Sequence, residues 1–225
     1  MSESIFEGVI QGNEENKQEE TKNNDFTYTP HADFGYDILS LPIINPEIRS
    51  DIVLQECIEL KPLAKGSRSQ IWQGTFINNK VVIKEVLKEH CDDIVVKQEY
   101  IREVTILSRI NHENIVKLYG SGVDDGHSLI VLEYLEKGTL RSYMSIRFKR
   151  PFTEVRYLRM AREFADALDY LHCQFHPQCM LIHRDLKPDN IGFTADGTLK
   201  LLDFGLCIAL EKGKADNGVY QLTGW

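Results

Sequence analysis

The rhythm of hydrophobic and polar positions changes twice along this 225-residue chain. Residues 11–25 are Asn, Glu, Gln, Lys and similar polar types with no aliphatic or aromatic side chain. Such a stretch buries too little surface to offset its ordering entropy, and it reads as disordered. An apolar string follows between Pro30 and Pro46: Phe34, Tyr36, Ile38, Leu39, Leu41, Ile43 and Ile44. It reads as a linker partly packed on the edge of the body. From Ile52 onward the pattern becomes β-like. Ile58-Glu59-Leu60 opens a first strand, in which Pro62 is tolerable only at a sheet edge. Residues 69–76 form a second strand and 81–86 a third. Asn78-Asn79 is the tight turn between them, because Asn accepts a positive φ. A helix starts near Asp92-Asp93, whose carboxylates suit its N-terminus. Its apolar face carries Ile101, Val104, Leu107 and Ile110. Residues 116–119 and 129–134 are two further strands, joined across Asp124-Asp125-Gly126.

After Gly138 the spacing lengthens. Leu158, Ala161, Ala165, Leu168 and Leu171 recur at three- and four-residue steps, which predicts a helix with one apolar face. Thr153 is its N-cap. Two short strands then flank a hairpin turn at Ala195-Asp196-Gly197-Thr198. No internal repeat interrupts this order.

Charge separates the two ends. The net charge is −8, yet residues 1–56 alone hold 12 acids and 3 bases. The remaining 169 residues hold 22 acids and 23 bases. The acidity belongs to the N-terminal arm, residues 1–50, and the body from 51 to 225 is nearly neutral. That balance argues against a nucleic-acid partner, which would call for a basic face. The longest aliphatic run is Leu129-Ile130-Val131-Leu132, far short of a membrane span. No signal peptide is evident. Five cysteines without a tight framework fit a reducing compartment, so a cytoplasmic location, with nuclear access left open, is expected.

The most specific chemistry lies at His183-Arg184-Asp185-Leu186-Lys187-Pro188-Asp189-Asn190, followed by Asp203-Phe204-Gly205. Two carboxylates, an amide and a lysine sit on two loops flanking a short hairpin. Such a group can hold a magnesium nucleotide and orient a hydroxyl. This order resembles the protein kinase superfamily over about residues 54–225. The resemblance implies an α+β, two-lobed fold. A five-stranded small-lobe sheet with one main helix would precede a partial, mainly helical large lobe. It implies ATP and Mg2+ as cofactors and a protein substrate. Asp185 would orient the substrate hydroxyl, with Lys187 beside it. Asn190 and Asp203 would hold the metal. Lys84, in Val81-Val82-Ile83-Lys84, matches the lysine on the α/β-phosphates, and Glu103 its ion-pair partner.

The glycine-rich loop departs from the family pattern. Its positions fall on Ala64, Gly66 and Ser69, followed by Ile71, and only Gly66 keeps a glycine. Glycines there let backbone N–H groups approach phosphate closely, so weakened nucleotide affinity is expected. The adenine site departs too. Val82 stands where an alanine is usual, and Gly192 stands where an aliphatic residue is usual. Some other apolar residue is expected to fill the floor. By the resemblance, Leu132 would be the gatekeeper, and Glu133, Tyr134 and Leu135 would form the hinge. Lys187 favours serine/threonine over tyrosine acceptors. Arg184 implies control through a phosphorylated activation segment, with Tyr220 and Thr223 as acceptors and an upstream activating kinase as partner.

Three weaker patterns remain. His172-Cys173-x-x-His176-x-x-Cys179 offers four metal-ligand types, but in a helix-to-loop link it reads as structural. Cys207 reads as inert rather than reactive. Residues 141–162 hold seven bases and one acid, read as a solvated face, with docking of the acidic arm as the sharper alternative. The resemblance further implies that a complete domain continues past Trp225, so this chain alone is expected to be marginal or aggregation-prone. The function read from the residues is ATP-dependent phosphorylation of Ser/Thr in proteins. The alternative is a pseudokinase that binds nucleotide or scaffolds a partner without turnover.

Overall fold

The computed structural model describes residue 41, residues 48–147 and residues 152–212. Its N-terminal half is one antiparallel sheet: β1 (Ile58–Lys65), β2 (Ser69–Phe76), β3 (Asn79–Val86), β4 (Leu118–Asp124) and β5 (His127–Glu133). The spatial order is β1-β2-β3-β5-β4. Pro62 lies on β1, an edge strand, where its missing N–H costs little. The β2–β3 turn sits one residue earlier than the sequence pattern suggests. Ile77 and Asn78 carry the positive φ values, 46° and 62°. Asn79 already belongs to β3 and faces Phe76. It contributes its side chain instead, since Nδ2 donates to the Ile77 carbonyl at 2.8 Å.

β4 also differs from the expected 116–119. It runs to Asp124, through Gly120-Ser121-Gly122, a run of weak strand formers. Those glycines are needed because another segment lies against them. Arg49 forms a parallel bridge to Gly120. The Ile52 amide donates to Ser121 O at 3.1 Å, and the Ser121 amide donates to Arg49 O at 2.8 Å. Ile52 is completely buried. A Cβ on Gly122 would sit 1.8 Å from Ile52 O, and one on Gly120 would sit 2.4 Å from Ile52 Cδ1. Leu54 N is held by Asp124 Oδ2 at 2.8 Å. The segment before β1 therefore extends the β4 edge and covers it, which removes an exposed pairing surface. Of the apolar string, Leu41 is described: it packs on the main core, and its carbonyl accepts from Arg109 Nε at 3.0 Å. The arm up to residue 40, and with it the expected disorder and docking on residues 141–162, lies outside the described residues.

Helix α1 (Ile94–Leu107) begins at Asp93, whose carboxylate accepts from Val95 N at 2.8 Å. Its buried face is Val96, Glu103, Ile106 and Leu107. Ile101 and Val104 are half-buried, and Ile110 lies beyond the helix. The face is turned toward Glu103 because that carboxylate has an interior partner.

The C-terminal half holds α2 (Leu140–Arg147), α3 (Glu154–Asp169) and a π-helical turn (Tyr170–Gln174). β6 (Cys179–Ile182) pairs with β9 (Ile208–Glu211), and β7 (Ile191–Phe193) pairs with β8 (Leu199–Leu201). Thr153 caps α3, accepting from Arg156 N. The β7–β8 turn is the expected one, with Gly197 at φ 95° and Asp196 accepting from both Thr194 and Thr198. The apolar face of α3 needs correction. Met160, Ala167 and then Leu171 face inward, whereas Leu158 is 72 % exposed and Ala161 and Ala165 are exposed. The reason is Glu163, buried within the packed face. Its Oε2 accepts from Leu199 N of β8 at 2.9 Å and its Oε1 from Arg159 Nε at 2.6 Å. A hydrophobicity count cannot see a carboxylate that chooses the inner face.

One apolar cluster joins the two halves. It links Ile106 and Leu107 of α1 and Leu118 of β4 to Ala167, Leu181, Leu201 and Phe204. The fold is the expected α+β arrangement, a five-stranded sheet with one main helix beside a mainly helical portion. No helix among the described residues is long and apolar enough to cross a membrane.

Gly122→Ala is expected to lower the unfolding free energy by about 1–3 kcal/mol through overpacking against Ile52. Ile52→Ala is expected to cost about 2–5 kcal/mol. Urea midpoints at unchanged slope measure both, and unchanged midpoints would refute the edge contact.

Candidate active site

The site is assembled from β3, α1 and two loops. Lys84 lies on β3 between Ile71 of β2 and Ile130 of β5. Its Nζ stands 2.7 Å from Glu103 Oε2 and 3.4 Å from Asp203 Oδ1. Glu103 is 2 % exposed. Burial alone would lower the Lys84 pKa, but the Glu103 and Asp203 carboxylates outweigh it and hold it above the usual lysine range. Burial would raise Asp203, but Lys84 and the Gly205 amide hold its carboxyl below the usual range. Burial pushes the Glu103 carboxyl above its usual range, and the Lys84 ammonium opposes that rise.

The loop from His183 to Asn190 is organised by its own polar groups. Arg184 adopts φ 66°, a left-handed conformation that is uncommon outside glycine and turns Asp185 toward the cleft. Asp185 Oδ2 accepts from Lys187 Nζ at 2.6 Å and from Asn190 Nδ2 at 2.8 Å. Asn190 Nδ2 also bonds the Asp185 carbonyl at 2.9 Å, and the residue is buried. His183, 1 % exposed, ties this loop to the next. Its Nδ1 accepts from Asp185 N at 3.2 Å, so Nε2 carries the proton and donates to Leu202 O at 2.9 Å. Burial lowers the pKa of His183, in keeping with a neutral ring. The ring meets Phe204 edge-on at 4.9 Å between centroids.

Asp203 adopts φ 60°. Phe204 is fully buried and anchors the strained residue before it. Arg102 of α1 donates to Gly205 O at 2.8 Å, and Arg184 Nε donates to Leu206 O at 2.6 Å. A cavity of about 500 Å³ opens between these parts. Gly66, Ser69, Lys84, Glu103, Asp185, Lys187 and Asp203 all border it. Ala64, Ile71, Val82, Leu132, Glu133 and Leu135 do not. The cavity therefore gathers Lys84, Glu103, Asp185, Lys187 and Asp203, whereas Asn190 and these six residues lie off its lining.

The model of the protein kinase domain matches residues 58–224. The chain belongs to the protein kinase family. It is 33 % identical over 159 residues to a mitogen-activated protein kinase kinase kinase 7-like protein of Drosophila melanogaster, covering 69 % of this chain and 38 % of that protein. An Aurora kinase of Eremothecium gossypii is 32 % identical over 155 residues, covering 68 % of this chain and 40 % of that protein. The wall-associated receptor kinase 4 of Arabidopsis thaliana is 33 % identical over 159 residues, covering 70 % and 21 %. The chain thus aligns with two fifths or less of the length of these relatives.

In this kinase chain Gly192, on β7, is backed by two leucines. A Cβ there would lie 2.3 Å from Leu135 Cδ1 and 3.3 Å from Leu202 Cδ1. Leu135, buried, fills the space that Gly192 leaves. The Leu135 carbonyl accepts from Gly138 N, and Gly138 O accepts from Phe193 N, which fixes the hinge against β7. Glu133 is held by Lys200, Nζ to Oε2 3.0 Å, and by Lys117 N.

Sequence reasoning missed the linking roles of His183, of Arg102 and of Arg68, whose Nη1 donates to Glu99 of α1. His183 was visible within its motif. Arg102 and Arg68 carry no local pattern. Among the described residues no group of three or more His, Cys, Asp or Glu side chains gathers as a metal cage. Cys179, from the His/Cys pattern, is buried in β6. Tyr220 and Thr223 lie outside the described residues.

Gly192→Ala is expected to destabilise by about 1–2 kcal/mol through crowding of Leu135. Combined with Leu135→Ala, the loss should fall short of the sum of the two singles by at least about 0.5 kcal/mol in a thermal double-mutant cycle. Strict additivity would refute the shared contact. The cysteines give a second test. Burial pushes the thiols of Cys57 and Cys179 up to about 11 and that of Cys207 up to about 12. Iodoacetamide at neutral pH should label exposed Cys173 first and spare these three, as read by peptide mass spectrometry.

Proposed function

We propose that this chain carries out ATP-dependent phosphoryl transfer to serine or threonine hydroxyls of proteins. The observation that carries the reading is the convergence of Lys84, Glu103, Asp185 and Asp203 on one cavity. Lys84 binds nucleotide phosphate and Glu103 holds it in place. Asp185 receives the acceptor hydroxyl. Its contacts with Lys187 and Asn190 both fall on Oδ2, so Oδ1 is the oxygen we assign to that hydroxyl. Lys187, beside Asp185, supports the serine/threonine preference and neutralises charge on the transferring group.

The residues fit a magnesium site. Asn190 commits Nδ2 to Asp185, which leaves the hard amide oxygen Oδ1 as its coordinating atom, and Asp203 stays ionised. Two hard oxygen ligands suit an ion that takes the rest of its shell from water and phosphate. When bound, magnesium neutralises phosphate charge. Residues 51–225 make up the kinase unit in this reading, and residues 1–50 an arm. Five free cysteines, three of them buried, support a reducing, cytoplasmic setting. An upstream activating kinase remains part of the proposal through Arg184.

A non-catalytic, nucleotide-binding role has one observation in its favour. The Gly66 amide donates to Ser69 O at 2.8 Å, so the loop spends a backbone donor on itself. Turnover decides between the two. The chain with Mg-ATP should phosphorylate a Ser/Thr peptide in preference to a Tyr peptide. Asp185→Asn should lose about 10²–10⁴-fold in rate with an unchanged melting temperature. Equal rates for Asp185→Asn and the parent would refute the assignment. Mg-ATP binding without Asp185-dependent turnover would establish the non-catalytic reading.

A further inference from the structure

The loop between β1 and β2 lacks two of the three glycines that would bring backbone donors to phosphate. Its remaining donors are partly occupied. Gly66 N is bound to Ser69 O, and Gln70 Nε2 pins the Ala64 carbonyl at 2.8 Å. The cavity it covers is also short of positive charge. Four carboxylates border it, those of Glu99, Glu103, Asp185 and Asp203. Three cations oppose them, and besides Lys84 and Lys187 the third is Arg68, at the loop tip. Lys84 and Lys187 are already engaged with Glu103 and Asp185 at 2.7 and 2.6 Å.

Arg68 is held differently. Its Nη1 donates to both oxygens of Glu99, at 3.0 and 3.1 Å. Glu99 lies on α1, one turn before Glu103. The Arg68 side chain is 48 % exposed, and an ion pair this open is worth little, about 0–1 kcal/mol. A guanidinium on phosphate makes stronger, charge-assisted, bidentate bonds. We propose that Arg68 is a phosphate-binding residue of this site and that Glu99 competes with the nucleotide for it. Binding exchanges the Glu99 contact for the terminal phosphates. The arginine side chain replaces the backbone donors that Ala64 and Ser69 make harder to present.

This inference rests on the proposed nucleotide site, and the test separates the two. Affinities for Mg-ATP, Mg-ADP and adenosine are measured by calorimetry on the full 225-residue chain and on Arg68→Ala, Arg68→Lys and Glu99→Gln. Arg68→Ala should weaken Mg-ATP about tenfold and leave adenosine within about twofold. Arg68→Lys should recover part of the loss. Glu99→Gln should tighten Mg-ATP by about threefold, because it releases the guanidinium. The sign for Glu99→Gln is decisive. If it weakens Mg-ATP as Arg68→Ala does, the pair is a supporting latch and the competition is refuted. An unchanged Mg-ATP affinity in Arg68→Ala, or an equal loss for adenosine, overturns the phosphate role alone. Failure of the parent chain to bind any of the three overturns both this inference and the nucleotide site on which it rests.

Discussion

The contact on which the rest of the site depends is the ion pair of Lys84 with buried Glu103. Glu103 faces the interior, where an unpaired carboxylate is strongly disfavoured. The ammonium of Lys84, itself partly exposed, makes it tolerable. β3 supplies that ammonium, and the central place of β3 in the sheet makes it rigid. The pair therefore fixes the rotation of α1, and α1 carries Glu99, Arg102 and the core face of Ile106 and Leu107. Asp203 joins from the opposite half, so one lysine links sheet, helix and loop. A position that looks like a local charge match is the joint between the two parts of the molecule.

Around that joint the backbone is held in uncommon conformations. Arg184 and Asp203 both have φ near 60°, without the glycine that usually takes such a position. Each is held by neighbours that leave no alternative. His183 bridges the loops through Asp185 N and Leu202 O, and Phe204 fills the apolar space beneath. Strain kept in this way places two carboxylates at one cavity with little freedom to drift. The N-terminal segment contributes by closing the far edge of the sheet. Ile52 sits on Gly120 and Gly122, and Tyr100 of α1 donates to the Gly122 carbonyl at 3.1 Å. The segment thus touches the same strand that helps hold the helix.

Much of the architecture was legible because it follows from period and punctuation. Alternation marks the strands, Pro62 marks an edge, and Asp93 and Thr153 mark helix starts. The failures share a cause. β4 was cut short because its glycines look like loop residues until Ile52 is placed on them. The inner face of α3 follows the expected spacing at Leu168 and Leu171 but not at Leu158, Ala161 and Ala165, because Glu163 is an interior residue, anchored by the amide of Leu199. The identity of the side chain beside Gly192 has no local signal, because Leu135 reaches it from a distant part of the chain. In each case the deciding partner is distant in sequence, by 36 residues for Glu163 and Leu199.

The sequence by itself determined the reaction chemistry on offer and the order in which its parts arrive. Lys84, Glu103, Asp185, Asn190 and Asp203 are recognisable by type and spacing, since carboxylate, amide and ammonium chemistry belongs to the side chain. Tertiary structure decided the rest: which oxygen of Asp185 takes the Lys187 and Asn190 contacts, which helix face turns inward, and which side chain fills the space at Gly192. It also brought Arg68 to Glu99. Those outcomes depend on distances between elements, and such distances are set by packing and burial rather than by local pattern.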